Sequence, residues 1–142
     1  MGLVATLNEG LKVAMKSGDT ERRDVIRLLQ SALKNAAIEW RKPAADLSDD
    51  EVQSVVRRLV KQRIIATAKG LQRDFAIEKP RLAIAGYNPH AGENGNIGRE
   101  EIDLFGPIIS ELRAEGYDII GPLPADTMFH KEARMQYDAA LC

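Results

Sequence analysis

The stretch from Gly86 to Asp103, Gly-Tyr-Asn-Pro-His-Ala-Gly-Glu-Asn-Gly-Asn-Ile-Gly-Arg-Glu-Glu-Ile-Asp, holds the residue types most able to do chemistry in this chain. Gly86, Gly92, Gly95 and Gly98 let the backbone turn sharply and approach a ligand, because they lack Cβ. His90, one of only 2 histidines, stands in the middle of that loop. Gly92, Glu93, Asn94 and Gly95 read either as backbone contacts to a dinucleotide or other anion near the start of the next helix, or as a plain turn. They lack the spacing of the common dinucleotide fingerprint, so the turn is the default. Further on, Asp126 closes the Pro-rich segment Pro122-Leu-Pro-Ala-Asp-Thr127. Its carboxylate could support a site, but capping of the next helix by Asp126 or Thr127 is the simpler expectation.

The loop must be carried by the elements around it. Arg81–Ala85 is a short apolar run that predicts a buried strand. Ile97 to Glu115 predicts a helix with Ile102, Phe105, Ile108, Ile109 and Leu112 inward, bent at Gly106-Pro107 because proline lacks the ladder N–H. Gly116 should stop it. A second strand is expected over Asp118–Gly121, a short helix over Met128–Met135 and a third strand over Tyr137–Leu141. Strands joined by helical crossovers belong in a parallel sheet with both faces covered.

The first half is helical throughout. Leu3, Leu7, Leu11, Ala14 and Met15 share one face of a helix ending near Ser17-Gly18. Asp19 or Thr20 caps a second, with the inner stripe Val25, Leu28, Leu29, Ala32, Leu33, Ala36 and Trp40, the tryptophan as a core anchor. Pro43 ends it. Ser48-Asp-Asp-Glu51 is a capping box opening a third helix. Its stripe Val52, Val55, Val56, Leu59 and Val60 continues in phase through Ile64, Ile65, Ala68, Leu71 and Phe75, with Gly70 a weak point. The expected class is mixed α/β: about three helices packed with or next to a small parallel β/α unit of about three strands.

At 142 residues and net charge −1, the chain gives no global electrostatic case for nucleic acid or an anionic membrane. The balance is uneven, net +3 over residues 1–63 and −4 over 64–142. The basic residues Arg22, Arg23, Arg27, Lys34, Arg57, Arg58, Lys61 and Arg63 alternate with acids, as on a solvated helix face. The single cysteine, Cys142, allows no internal disulfide or multi-cysteine metal cluster. No apolar run approaches the ~20 residues of a membrane helix, and the N-terminus lacks a basic signal-peptide region. A cytoplasmic chain is the expectation.

Residues 1–63 resemble the GatB/YqeY family of small helical proteins. The resemblance rests on Leu7-Asn8-Glu9, Ala14-Met15-Lys16, Val25-Ile26-Arg27-Leu28-Leu29, Ala32-Leu33-Lys34-Asn35-Ala36, Asp49-Asp50-Glu51-Val52 and Val60-Lys61-Gln62-Arg63. Residues 64–142 resemble an internal slice of 4-hydroxythreonine-4-phosphate dehydrogenase, the PdxA family, through Asn88-Pro89-His90-Ala91-Gly92-Glu93, Glu100-Glu101-Ile102-Asp103, Gly121-Pro122-Leu123-Pro124-Ala125-Asp126-Thr127 and Tyr137-Asp138-Ala139. That second resemblance implies an NAD-dependent homodimer of vitamin B6 synthesis, with His90 as one of three histidines on a divalent metal. The other two have no counterpart here, and His130 matches no family ligand. A catalytic metal needs about three protein ligands. A weaker site, shared between copies or helped by His130 or Glu93, would suit zinc or a similar ion.

The expected protein is therefore a chimera joined near Arg63-Ile64 inside one continuous helix. It has no catalytic residues of its own, requires no cofactor and tends to form homo-oligomers through an open strand edge. Two alternatives stand beside it: an NAD-dependent PdxA-type oxidoreductase completed by oligomerisation, and a tRNA-amidotransferase-related helper that binds tRNA.

Overall fold

The computed structural model describes residues 2–142, the Pro89 side chain excepted. It divides into two compact units, the first ending at Arg58 and the second spanning Leu59–Cys142.

The first unit is helical. Helix α1, Leu3–Ser17, ends at Gly18, whose φ of 71° is the left-handed value glycine tolerates. Helix α2, Thr20–Glu39, is capped by Asp19, which accepts from the Arg22 N–H at 3.0 Å. Its buried residues are Ile26, Leu33, Ala36 and Ala37. The expected stripe holds at Leu33 and Ala36, which are buried, and at Leu29 and Ala32, which are half-buried, but Val25 and Leu28 are exposed and Ile26 is buried instead. Trp40 is not a core anchor. It is 37% exposed and sits past the last turn as the C-cap. A single tight turn, Ala44–Asp46, follows. Helix α3, Asp49–Phe75, then opens on the expected capping box: Ser48 N–H donates to Glu51 Oε2 at 2.8 Å, and Glu51 N–H to Ser48 Oγ at 3.3 Å. Gly70 does not break α3. Phe75, at its end, points to solvent and is 71% exposed.

The second unit is built on a parallel sheet ordered β2-β1-β3, with β1 Arg81–Ala85, β2 Asp118–Leu123 and β3 Ala139–Leu141. Central β1 buries Leu82, Ala83 and Ile84. These pack in one cluster with Ile64 and Ala68 of α3 and with Ile108, Ile109 and Leu112 of α4, Gly106–Ala114. The helix before β2 starts later than its sequence suggests. Residues Glu101–Phe105 form a wide π turn, in which Gly106 N–H reaches back to Glu101 O. The wider turn absorbs the bond Pro107 cannot make, and it rotates Ile102 outward.

Strand β2 runs two residues further than expected, through Pro122, which an edge strand accepts. Its outer carbonyls are covered: Arg113 donates to Ile119 O at 2.8 Å and to Gly121 O at 3.5 Å. Helix α5 is one turn, Lys131–Arg134, and β3 starts only at Ala139. Met128 is buried outside α5 instead, its carbonyl bound by Tyr137 Oη at 2.6 Å. Among the described residues no helix is long and apolar enough to cross a membrane.

Candidate functional site

Strand β1 hands the chain to Gly86, whose N–H donates to Leu123 O at 2.8 Å. A Cβ there would lie 2.8 Å from Ala91 Cα, so only glycine lets the loop fold back this closely. Residues Pro89–Gly95 then form a tight coil in which His90, Ala91, Gly92, Glu93 and Asn94 all have φ between 45° and 77°. Each non-glycine residue in that region costs roughly 1–2 kcal/mol, so the coil must be held from outside. Composition alone reads it as an ordinary glycine turn.

The outside hold is Glu101. Its carboxylate accepts from Asn88 N–H at 2.6 Å and from Asn88 Nδ2 at 2.8 Å, while the exposed Glu100 takes the same Nδ2 at 2.6 Å. Glu101 is only 6% exposed. Burial by itself would raise its carboxyl, but the Asn88 side-chain and backbone donors, with the N–H groups of Glu101 and Tyr87, hold it below the usual carboxylate value. A Cβ on Gly92 would sit 2.9 Å from Glu101 Oε2, and one on Gly98 would collide with Asn88 Nδ2. Both glycines therefore clear space for this contact. Sequence reading missed Glu101, since a glutamate in an acidic pair is normally solvated. The only signal was the asparagine at the loop entrance facing that pair across a glycine-rich segment.

The coil brings His90 to Asp126: Nδ1 and Oδ2 are 3.6 Å apart, with both side chains more than half exposed. Asp126 is thus not the helix cap expected of it. His130 caps α5, its Nδ1 accepting from Ala133 N–H at 3.4 Å and lying 3.0 Å from Glu132 Oε2. Thr127 is no cap either, because its hydroxyl donates back to Pro124 O at 3.3 Å.

His90, Glu93, Asn94, Glu101, Pro122 and Pro124 line an open depression of about 410 Å³. Among the described residues no group of three or more His, Cys, Asp or Glu is placed to hold a metal ion. A catalytic metal takes about three protein ligands, so His90 and Asp126 do not make a metal centre by themselves. Gly92, Glu93, Asn94 and Gly95 lie together on the coil. Around them, Asn96 N–H and Ile97 N–H already donate to Glu93 O and Gly92 O. The carboxylates of Glu93, Glu101 and Asp126 oppose the charge of a pyrophosphate.

In the first unit the basic residues find acids nearby. Arg23 meets Asp24 at 2.8 Å and Arg58 meets Glu39 at 3.3 Å. In the second, Lys61 meets Glu111 and Glu115 at 2.7 Å, which raises its ammonium above the ordinary value.

Comparison with known proteins finds two families in the chain. The family model "Pyridoxal phosphate biosynthetic protein PdxA" matches residues 47–142 and the model "Yqey-like protein" matches residues 4–74. The two overlap along α3. A 4-hydroxythreonine-4-phosphate dehydrogenase of Paracoccus denitrificans is 59% identical over 83 residues, 58% of this chain and 26% of that protein. The crystal structure of 4-hydroxythreonine-4-phosphate dehydrogenase from Klebsiella pneumoniae superposes with a TM-score of 0.55 at 38% identity, over 59% of this chain and 26% of that one. A terephthalate 1,2-cis-dihydrodiol dehydrogenase from Burkholderia xenovorans does so with a TM-score of 0.53 at 34% identity, with the same coverage of 59% and 26%. The chain thus spans about a quarter of the length of the curated relatives it matches.

Proposed function

The chain belongs to the PdxA family of pyridoxal phosphate biosynthetic proteins through residues 47–142 and to the Yqey-like family through residues 4–74, and we propose that it fuses part of a dehydrogenase scaffold to a helical segment without completing an active site by itself. One observation carries this reading. His90 has a single acidic neighbour, Asp126 at 3.6 Å, and the described residues bring no third ligand to them. The loop then supplies one metal ligand, His90, of the about three a catalytic metal takes.

The backbone of the shared segment does not by itself choose the substrate: it superposes almost equally well on dehydrogenases named for a phosphorylated hydroxy amino acid and for an aromatic dihydrodiol. The test is NAD reduction by the purified chain with 4-hydroxythreonine 4-phosphate and a divalent metal. Turnover at background level is expected; turnover that disappears in His90→Ala would overturn the reading.

A second reading has its own support. Arg113 covers the β2 edge, whereas β3 forms the other edge of the sheet. Strand addition by another copy at β3 is a route to an oligomer that gathers the missing groups. Activity rising more steeply than linearly with protein concentration would favour it. A tRNA-binding role for the helical unit predicts a mobility shift at low salt that fades steeply as salt rises. No shift at low salt would exclude it.

A further inference from the structure

We propose that Glu101 is the positioning residue of the His90 loop: by gripping both donors of Asn88, it holds the left-handed coil that sets His90 against Asp126. The coil has six consecutive residues at positive φ, His90 to Gly95, and four of them are not glycine. Such a run does not persist through its own preference. Its local hydrogen bonds are short-range and modest: Ala91 N–H to Asn88 O at 3.0 Å, Ile97 N–H to Gly92 O at 3.1 Å and Asn96 N–H to Glu93 O at 3.3 Å.

All three bonds lie in the segment between Asn88 and Glu101, and that segment is closed by the two contacts to the Glu101 carboxylate at 2.6 and 2.8 Å. The closure is partly buried, its Glu101 side only 6% exposed, so water does not replace it cheaply there. Gly92 and Gly98 are the two positions where a side chain would strike the closure, at Glu101 Oε2 and at Asn88 Nδ2. Glu101 touches neither His90 nor Asp126 directly; it acts through the backbone between them. The inference rests on the reading that this loop is the functional part of the chain, but its test does not depend on activity.

The experiment is nuclear magnetic resonance on the isotopically labelled full chain, without metal or cofactor. The readouts are the cross-relaxation contact between the His90 ring and Asp126, the positive-φ couplings of residues 90 to 94, and exchange of the Asn96 and Ile97 amides. Glu101→Gln puts an amide donor against the donors of Asn88. Asn88→Asp puts a carboxylate against a carboxylate. Each single variant is expected to lose the His90–Asp126 contact and to speed amide exchange about tenfold, the factor one typical hydrogen bond supplies.

The double variant Asn88→Asp/Glu101→Gln reverses the polarity of the pair, so that the glutamine amide donates to the new carboxylate and its carbonyl accepts the residue 88 N–H. It is expected to restore the contact and the slow exchange, with the exposed Glu100 swinging aside. Single variants that keep the contact, or a double variant no better than either single, would overturn the proposal. If a single variant unfolds, the double must recover both fold and contact for the proposal to stand. Asp126→Asn should leave the positive-φ couplings unchanged, and loss of those couplings there would place the hold at Asp126 instead. A zinc titration of the parent chain run alongside keeps the two readings apart: absence of binding counts against the metal role of His90 and leaves the loop readouts as they are.

Discussion

The helical unit ending at Arg58 and the β/α unit Leu59–Cys142 use their polar bonds to different ends. In the helical unit near-neighbour bonds cap the helices, Asp19 with Arg22 and Ser48 with Glu51, and remote ones tie exposed positions, Leu3 N–H with Asp49 Oδ1 at 2.7 Å and Gln30 with Asn8 at 2.8 Å. In the β/α unit remote bonds close a loop and the sheet: Asn88 with Glu101, and Arg81 N–H with Asp138 Oδ2 at 2.7 Å. The hydrophobic side is alike in kind. Each unit buries a core, Val52 and Val55 in the helical one and Leu82 and Leu112 in the β/α one, and each leaves large apolar side chains in solvent, Val25 and Ile38 in the first, Tyr87 and Met135 in the second. Near-neighbour bonds fix an element; a site needs a remote bond shielded from water, as between Asn88 and Glu101.

The largest expected effect breaks that comparison at its core. Leu112→Ala should destabilise the β/α unit by about 2–5 kcal/mol through lost burial and a cavity beside Leu82 and Ile109. Val25→Ala should change stability by no more than about 0.5 kcal/mol, because Val25 is exposed. Urea unfolding of both variants checks the contrast. A cost for Val25→Ala as large as that for Leu112→Ala would mean that the α2 face is covered in solution.

Next comes the sheet edge. Arg113→Ala removes the donors on Ile119 O and Gly121 O, and should cost about 1 kcal/mol. It also leaves β2 as open as β3. Sedimentation should then show more self-association than for the parent chain; unchanged sedimentation would mean Arg113 does not guard the edge. Within the helical unit, Ser48→Ala should cost about 1 kcal/mol by uncapping α3, read as an earlier melting of helical circular dichroism. The damage should stay local, with the loop contacts of Asn88 unaffected.

The distance over which bonds act also decides what could be read from sequence. Both capped helix starts, the glycine stops at Gly18 and Gly116, and β1 were legible, because each signal lies within a few residues of its effect. Only the start of the α2 stripe was misread, because Val25, Ile26, Leu28 and Leu29 are all apolar and only tertiary packing selects among them. The π turn at Glu101–Phe105 was anticipated as a bend at Pro107 but not as an extra-wide turn. In the site, His90 and the glycines stood out by residue type. Asp126 stood out as a carboxylate but not as the partner of His90, and the buried Glu101 did not stand out, because a carboxylate's partner is set by the fold and an acid looks solvated until its neighbours are known.

The smallest effect separates the two units by pH and salt. Glu51 is held below the usual carboxylate value first by Lys42, whose Nζ lies 2.7 Å from both oxygens, and then by the Ser48 N–H. Glu101 is held low against its own burial by the donors of Asn88. In each case the folded pKa is depressed. The stabilising contribution is therefore present above the unfolded value, about 4.3, and is lost as pH falls through the lower folded value. Helicity of the parent chain and of Glu51→Gln should differ near neutral pH and converge in acid; a gap independent of pH would remove the ion pair as its cause. Salt then tells the two carboxylates apart. The Lys42 pair is partly exposed and should weaken at high ionic strength. The grip of Glu101 on Asn88 uses uncharged donors in a buried setting, so the acid-induced release of the loop should keep its midpoint when salt is added. A midpoint that moves with salt for both would mean that Glu101 answers to charge rather than to Asn88, and the contrast between the two units would fail at that residue.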